Sequence, residues 1–69
     1  MSKIVSVIAV FNTGKDVKPL YYTLDGQKYK IDQVVSKFET KTSMVFHCMV
    51  RCELVVLILD LEKNQWSVD

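Results

Sequence analysis

The chain holds little of what most chemical sites are built from. Its 69 residues include one histidine, two cysteines, two glycines and one proline. The histidine and cysteines together supply three soft metal ligands, where structural zinc takes four. Two cysteines fall short of the disulfide frameworks that hold small secreted domains together. The expectation is a reduced, cytoplasmic chain. Gly14 and Gly26 stand apart, whereas a phosphate-cradling loop needs several glycines ahead of a helix. Neither sign of charge prevails: the formal net charge is +1, so no global field draws the chain to nucleic acid or acidic lipid. No apolar run approaches the ~18 residues that span a bilayer as a helix. The opening "MSKIVSVIAVF" has the lysine and apolar run of a signal sequence. "NTGKD" follows in place of a small-residue cleavage site, so the segment is read as part of the fold.

What is present is apolar and β-prone. Hydrophobic residues make up 49% of the sequence, the opposite of a disordered composition. A chain this short buries only about 60% of its unfolded surface, so residues 1–69 are expected to form one small, densely packed domain. Residues 3–11, "KIVSVIAVF", are apolar on both parities, as in a strand covered on both faces.

"PLYYTLDGQKYKID" carries the clearest local signal. Asp25-Gly26 suits a two-residue type I′ turn, whose central residues both need positive φ. That turn sets Leu24 against Gln27, Tyr22 against Tyr29 and Leu20 against Ile31 on one face. Tyr21 and Lys30, and Thr23 and Lys28, pair on the other. Residues 32–41 allow two readings. Ile31, Val34, Val35 and Phe38 have helical spacing with Asp32 as a cap. Alternatively the strand continues through a bulge near Asp32–Gln33, with Val34 and Phe38 on one face; the adjacent valines favour this.

The rest reads as two hairpins. The first turns at "RCEL" or shorter, pairing Phe46 with Leu59, Cys48 with Leu57 and Val50 with Val55. The second turns at "EKNQ", pairing Leu61 with Trp66 and Leu59 with Val68. The fold expected is all-β, with five or six antiparallel strands in meander order, as a small SH3-like barrel or sandwich. The alternative is α+β with a short helix at 32–41. The candidate core is Ile4 or Val5 with its parity, Leu20, Tyr22, Leu24, Tyr29, Ile31, Phe46, Cys48, Val50, Val55, Leu57, Leu59, Trp66 and Val68.

"HCMVRC", residues 47–52, gathers the histidine and both cysteines. Neighbours on a strand face apart, so His47 and Cys48 do not form a nucleophilic pair. Cys48 and Cys52 on a straight strand lie about 13 Å apart, too far for a shared metal or a disulfide. No catalytic residue, metal site, cofactor or small-molecule substrate is inferred, and the chain is read as non-enzymatic.

Two surfaces suggest binding. The outer face of the 43–61 hairpin carries Val45, His47, Met49, Val56 and Ile58, although its inner face is already apolar. Such a hairpin needs a second layer or a partner, and a homodimer supplies one without extra sequence. The wet face of the Asp25-Gly26 hairpin carries Tyr21, Lys28 and Lys30, with Thr23 and Lys18 beside them. Tyrosine with lysine on a β surface is one way to hold single-stranded nucleic acid weakly, by stacking and phosphate contact.

The pattern Pro19, Leu20, Tyr22, Leu24, Gly26, Tyr29, Ile31, with Leu59, Trp66 and Val68 near the end, resembles that of short bacterial β-meander proteins. The resemblance spans most of residues 18–68 and implies an all-β fold. It implies no activity, cofactor or catalytic residue.

Overall fold

A computed structural model describes residues 3–12 and 16–69, leaving aside the side chains of Asn12 and Asp16. Seven strands follow one another: β1 (Lys3–Asn12), β2 (Asp16–Leu24), β3 (Gln27–Lys30), β4 (Gln33–Glu39), β5 (Ser43–Val50), β6 (Glu53–Asp60) and β7 (Gln65–Val68). They form one antiparallel sheet in the order β3-β2-β1-β7-β6-β5-β4. No described residue is helical, and residues 33–39 are strand. The architecture is all-β, a meander curled into a half-barrel.

The curl follows from one corner. β3 and β4 lie at opposite ends of the sheet order, yet only Ile31 and Asp32 separate them in sequence. The Ile31 N–H donates to the Leu20 carbonyl of β2 at 2.9 Å, and the Asp32 N–H donates to the Met49 carbonyl of β5 at 2.9 Å. Successive amides of an extended chain point to opposite sides. Here those two sides belong to the two halves of the sheet. β3 and β4 are thus two halves of one bent passage, so seven strands stand where five or six are expected.

Turn chemistry sets the registers. Asp25 (φ 52°) and Gly26 (φ 80°) form the β2–β3 turn, and Leu24–Gln27, Thr23–Lys28, Tyr22–Tyr29 and Tyr21–Lys30 pair as the turn type requires. The β5–β6 turn is also of two residues, Arg51 (φ 51°) and Cys52 (φ 65°). It pairs Val50 with Glu53, Cys48 with Val55, Phe46 with Leu57 and Met44 with Leu59. A longer "RCEL" turn misplaces these partners by two residues. The last turn occupies Leu61–Asn64, so Leu59 meets Trp66 and Leu57 meets Val68. This too is two residues from the "EKNQ" register. The Asp60 carboxylate accepts the N–H groups of Glu62 (3.0 Å) and Lys63 (3.1 Å) there, and Asn64 takes positive φ (52°), which asparagine tolerates. A slip of two keeps every side chain on its face, so the core membership of these strands is unaffected.

The bulge of β4 does change faces. It falls between Val34 and Ser36, not at Asp32–Gln33. Val34 pairs with Cys48 and packs on the core, while Phe38 pairs with Val45 on the outer face. A single extra residue inverts the alternation.

The concave side holds one core of Val5, Val17, Tyr22, Ile31, Met44, Phe46, Cys48, Val50, Leu57 and Leu59. Phe46, Cys48 and Leu57 are completely buried. Tyr22 stacks on Tyr29 with centroids 5.0 Å apart, and Phe46 lies 5.5 Å from Trp66. Val17 and Met44 join this core beyond the expected set. On β1, Val5, Val7 and Ala9 face it, whereas Ile4, Ile8 and Val10 face outward and are exposed. Double-sided cover for β1 is therefore not supplied by the described residues.

Candidate functional site

The convex side of the sheet is apolar along a registered line. Ile4 of β1 is opposite Ser67 of β7, Ser67 opposite Ile58 of β6, Ile58 opposite Val45 of β5, and Val45 opposite Phe38 of β4. Beside this row lie His47 with Val56, and Met49 with Leu54. All five hairpin residues singled out from sequence, Val45, His47, Met49, Val56 and Ile58, share this face and are half-buried among their neighbours. Ile4, Phe38 and Leu54 extend it and remain 69%, 53% and 60% exposed. The His47 ring meets the Phe38 ring edge-on at 5.9 Å. Ser36 is opposite His47 and Gln33 opposite Met49. Among the described residues of β4–β6 on this face, charge enters at the end of the β5–β6 ladder, where Asp60 pairs with Ser43.

Strand elements of the described residues pack on their sheet neighbours, so no second layer covers this face. The sandwich alternative for the hairpin is thereby replaced by a single curled layer. Ile4 was left open by parity in the sequence. Phe38 was hidden by the bulge at Val35, and Leu54 by the length of the β5–β6 turn.

The second surface gathers Tyr21, Lys28 and Lys30 on the outer side of β2 and β3, through the pairs Tyr21–Lys30 and Thr23–Lys28. Lys18 pairs with Val10 on β1, on the same side. The Lys28 ammonium sits 4.4 Å from the centroid of the Tyr21 ring. That cation–π contact occupies a ring face on which a base would stack.

"HCMVRC" is divided among three environments. Cys48 is buried, and burial raises its thiol from the ordinary 9.0 to about 11. His47 is on the outer face, and Cys52 is exposed in the turn. A thiol held neutral inside the core is a poor nucleophile. Tyr22 is also raised, first by burial and then by the neighbouring Tyr29. Among the described residues, no three or more His, Cys, Asp or Glu side chains gather as metal ligands. No helix among them is long and apolar enough to cross a membrane.

The Asp32 carboxylate accepts the Arg51 N–H at 3.1 Å, tying the β3–β4 corner to the β5–β6 turn. The Arg51 guanidinium then lies 5.4 Å from the Tyr29 ring. These contacts fix an end of the half-barrel. No family model, curated protein or solved structure matches the chain, so its surfaces are read from their geometry.

Proposed function

We propose that the protein is a non-enzymatic interaction module that pairs with a second copy of itself through the outer face of β4, β5 and β6, with Ile4 at the margin. The observation that carries this is the uncharged row Ile4–Ser67–Ile58–Val45–Phe38, flanked by His47–Val56 and Met49–Leu54. At ordinary strand spacing the band has a flat area of roughly 300 Å². That is the size at which apolar patches on monomers are often functional. A two-fold axis lays the band on its own image without opposing any charge. Two free thiols support a reducing compartment such as the bacterial cytoplasm.

The test is sedimentation equilibrium at neutral pH, comparing the wild type with Ile58→Lys. A dimer at micromolar concentration that Ile58→Lys converts to a folded monomer is expected. A wild-type monomer at high micromolar concentration rejects the proposal. A dimer indifferent to Ile58→Lys places the interface elsewhere and rejects this face.

A second reading, weak binding of single-stranded nucleic acid, is favoured by the shared face of Tyr21, Lys28 and Lys30. On that reading affinity falls by about 0.7 log units per log unit of salt for each phosphate contacted. Tyr21→Ala costs about 1–3 kcal/mol of binding. No binding to a mixed-sequence oligonucleotide at low salt ends it.

A further inference from the structure

The convex side has a second apolar region, toward the other end of the sheet from β4–β6. β7 pairs with β1 only from Lys3 to Val5. Beyond Val5, β1 is paired with β2 alone, and there Ile8 and Val10 point outward and are exposed. Tyr21 of β2 is opposite Ile8, and Lys18 is opposite Val10. On β3, Lys30 is opposite Tyr21 and Lys28 is opposite Thr23. All three lysines are exposed. Between Ser6 and Val10, and across from them on β2 and β3, no outward residue is acidic. The Asp25 carboxylate, in the turn beyond, lies 3.9 Å from the Lys3 ammonium.

We propose that this patch seats the protein on the surface of an anionic lipid bilayer. Apolar and cationic groups lie side by side in it. Ile8 and Val10 are about 7 Å apart along β1, and the row Ile8–Tyr21–Lys30 crosses three strands in about 10 Å. At a bilayer surface the ammonium groups of Lys18, Lys28 and Lys30 meet anionic headgroups, while Ile8 and Val10 enter the boundary between headgroups and acyl chains. The long lysine stems let the charges stay in the headgroup layer as the aliphatic groups go in. Phe11, at the end of β1 beside Val10, is exposed and brings a ring to the same boundary. The net charge of +1 does not oppose this, because the attraction is local and falls off within about 10 Å at 0.1 M salt.

Charge and shape select this occupant over two others. A second copy of the chain, laid on the patch by a two-fold axis, sets lysines against lysines. A single nucleic-acid strand gains neither stacking nor phosphate contact from Ile8 and Val10, and Lys28 already covers a face of the Tyr21 ring at 4.4 Å. An anionic bilayer surface uses all of these groups as they stand. The patch on β1–β3 is separate from the proposed dimer band on β4–β6 and does not depend on it.

The test is co-sedimentation of the full chain with vesicles of phosphatidylcholine alone, or of phosphatidylcholine and phosphatidylserine mixed two to one. Binding to the mixture at low ionic strength is expected to be about tenfold or more tighter than to phosphatidylcholine, and to weaken as salt is added. Lys18→Gln with Lys30→Gln is expected to weaken it about fivefold for each lysine removed. Ile8→Ser with Val10→Ser is expected to weaken it about tenfold through lost apolar contact. Circular dichroism checks that both variants are folded, and the lysine variant decides the case if the serine variant unfolds. Ile58→Lys, on the other band, still binds. Four results overturn the proposal. The first is no co-sedimentation with the mixed vesicles at low ionic strength. The second is equal binding to both kinds of vesicle, or binding undiminished in the folded lysine variant. The third is binding abolished by Ile58→Lys, which moves the contact to the β4–β6 face. The fourth is binding of a mixed-sequence single-stranded oligonucleotide, lost in Tyr21→Ala, without binding to vesicles, which assigns the patch to nucleic acid.

Discussion

At the scale of single residues, backbone conformation separates turn positions that look alike. Gly26 takes φ of 80°, and a Cβ added there meets nothing within 4 Å. Gly26→Ala therefore costs backbone strain without a clash, about 1 kcal/mol, to be read as a lower urea midpoint with unchanged slope. Cys52 holds φ of 65° without glycine's freedom. Cys52→Gly relieves that strain and is expected to stabilise by about 1 kcal/mol in the same assay. The two thiols differ as sharply. At mildly alkaline pH, iodoacetamide should modify exposed Cys52 in the native protein and spare buried Cys48. Mass spectrometry after digestion distinguishes them, and equal labelling of both rejects the burial of Cys48.

At the scale of elements, alternation within β6 makes neighbouring residues do opposite things. Leu57 is fully buried opposite Phe46, and Ile58 faces outward opposite Val45. Leu57→Ala is expected to lose about 2–5 kcal/mol of stability. Ile58→Lys should leave the monomer folded and remove association, since its cost falls on the outer face. Chemical denaturation and sedimentation on both variants check the contrast, and a folded-state penalty for Ile58→Lys as large as that of Leu57→Ala counts against the face assignment. The Asp32 side chain joins two elements through the Arg51 amide. Asp32→Ala removes that bond, for a loss of about 1 kcal/mol in thermal or urea unfolding.

For the whole molecule, the buried titrating groups set an alkaline limit on stability. Cys48 is raised from 9.0 to about 11, and Tyr22 is raised as well, each principally by burial. For an acid whose folded-state pKa is raised, the folded protein keeps the proton that the unfolded chain has released. The unfolded state binds fewer protons, so stability falls as pH rises. The Cys48 contribution is complete below about pH 9 and is lost progressively between about 9 and 11. Urea midpoints measured across that range should decline, and Cys48→Val, which removes one titrating group from the core, should flatten the decline. An unchanged slope in that variant shifts the cause to Tyr22 or to groups outside the core.

The sequence carried what is local and periodic. Asp25-Gly26 has a single favoured turn conformation, so the whole β2–β3 register followed from two residues. The alternation Phe46, Cys48, Val50 placed Cys48 inside and His47 outside. Placement on a face tolerates an error of two residues, and so the core strands were legible although both later turns were read too long or too late. Non-local choices were not legible. Val35 becomes a bulge because β4 must stay in register with β5 after the bend at Ile31–Asp32, and nothing in "DQVVSKFE" states where the extra residue falls. The row Ile4–Ser67–Ile58–Val45–Phe38 joins residues from both ends of the chain and exists only once β1 pairs with β7. The length of β3, which stops pairing before β2 does, decides how much of the β2 edge is covered. Periodicity assigns side chains to faces, but the pairing of distant strands decides which faces become continuous and which edges stay open.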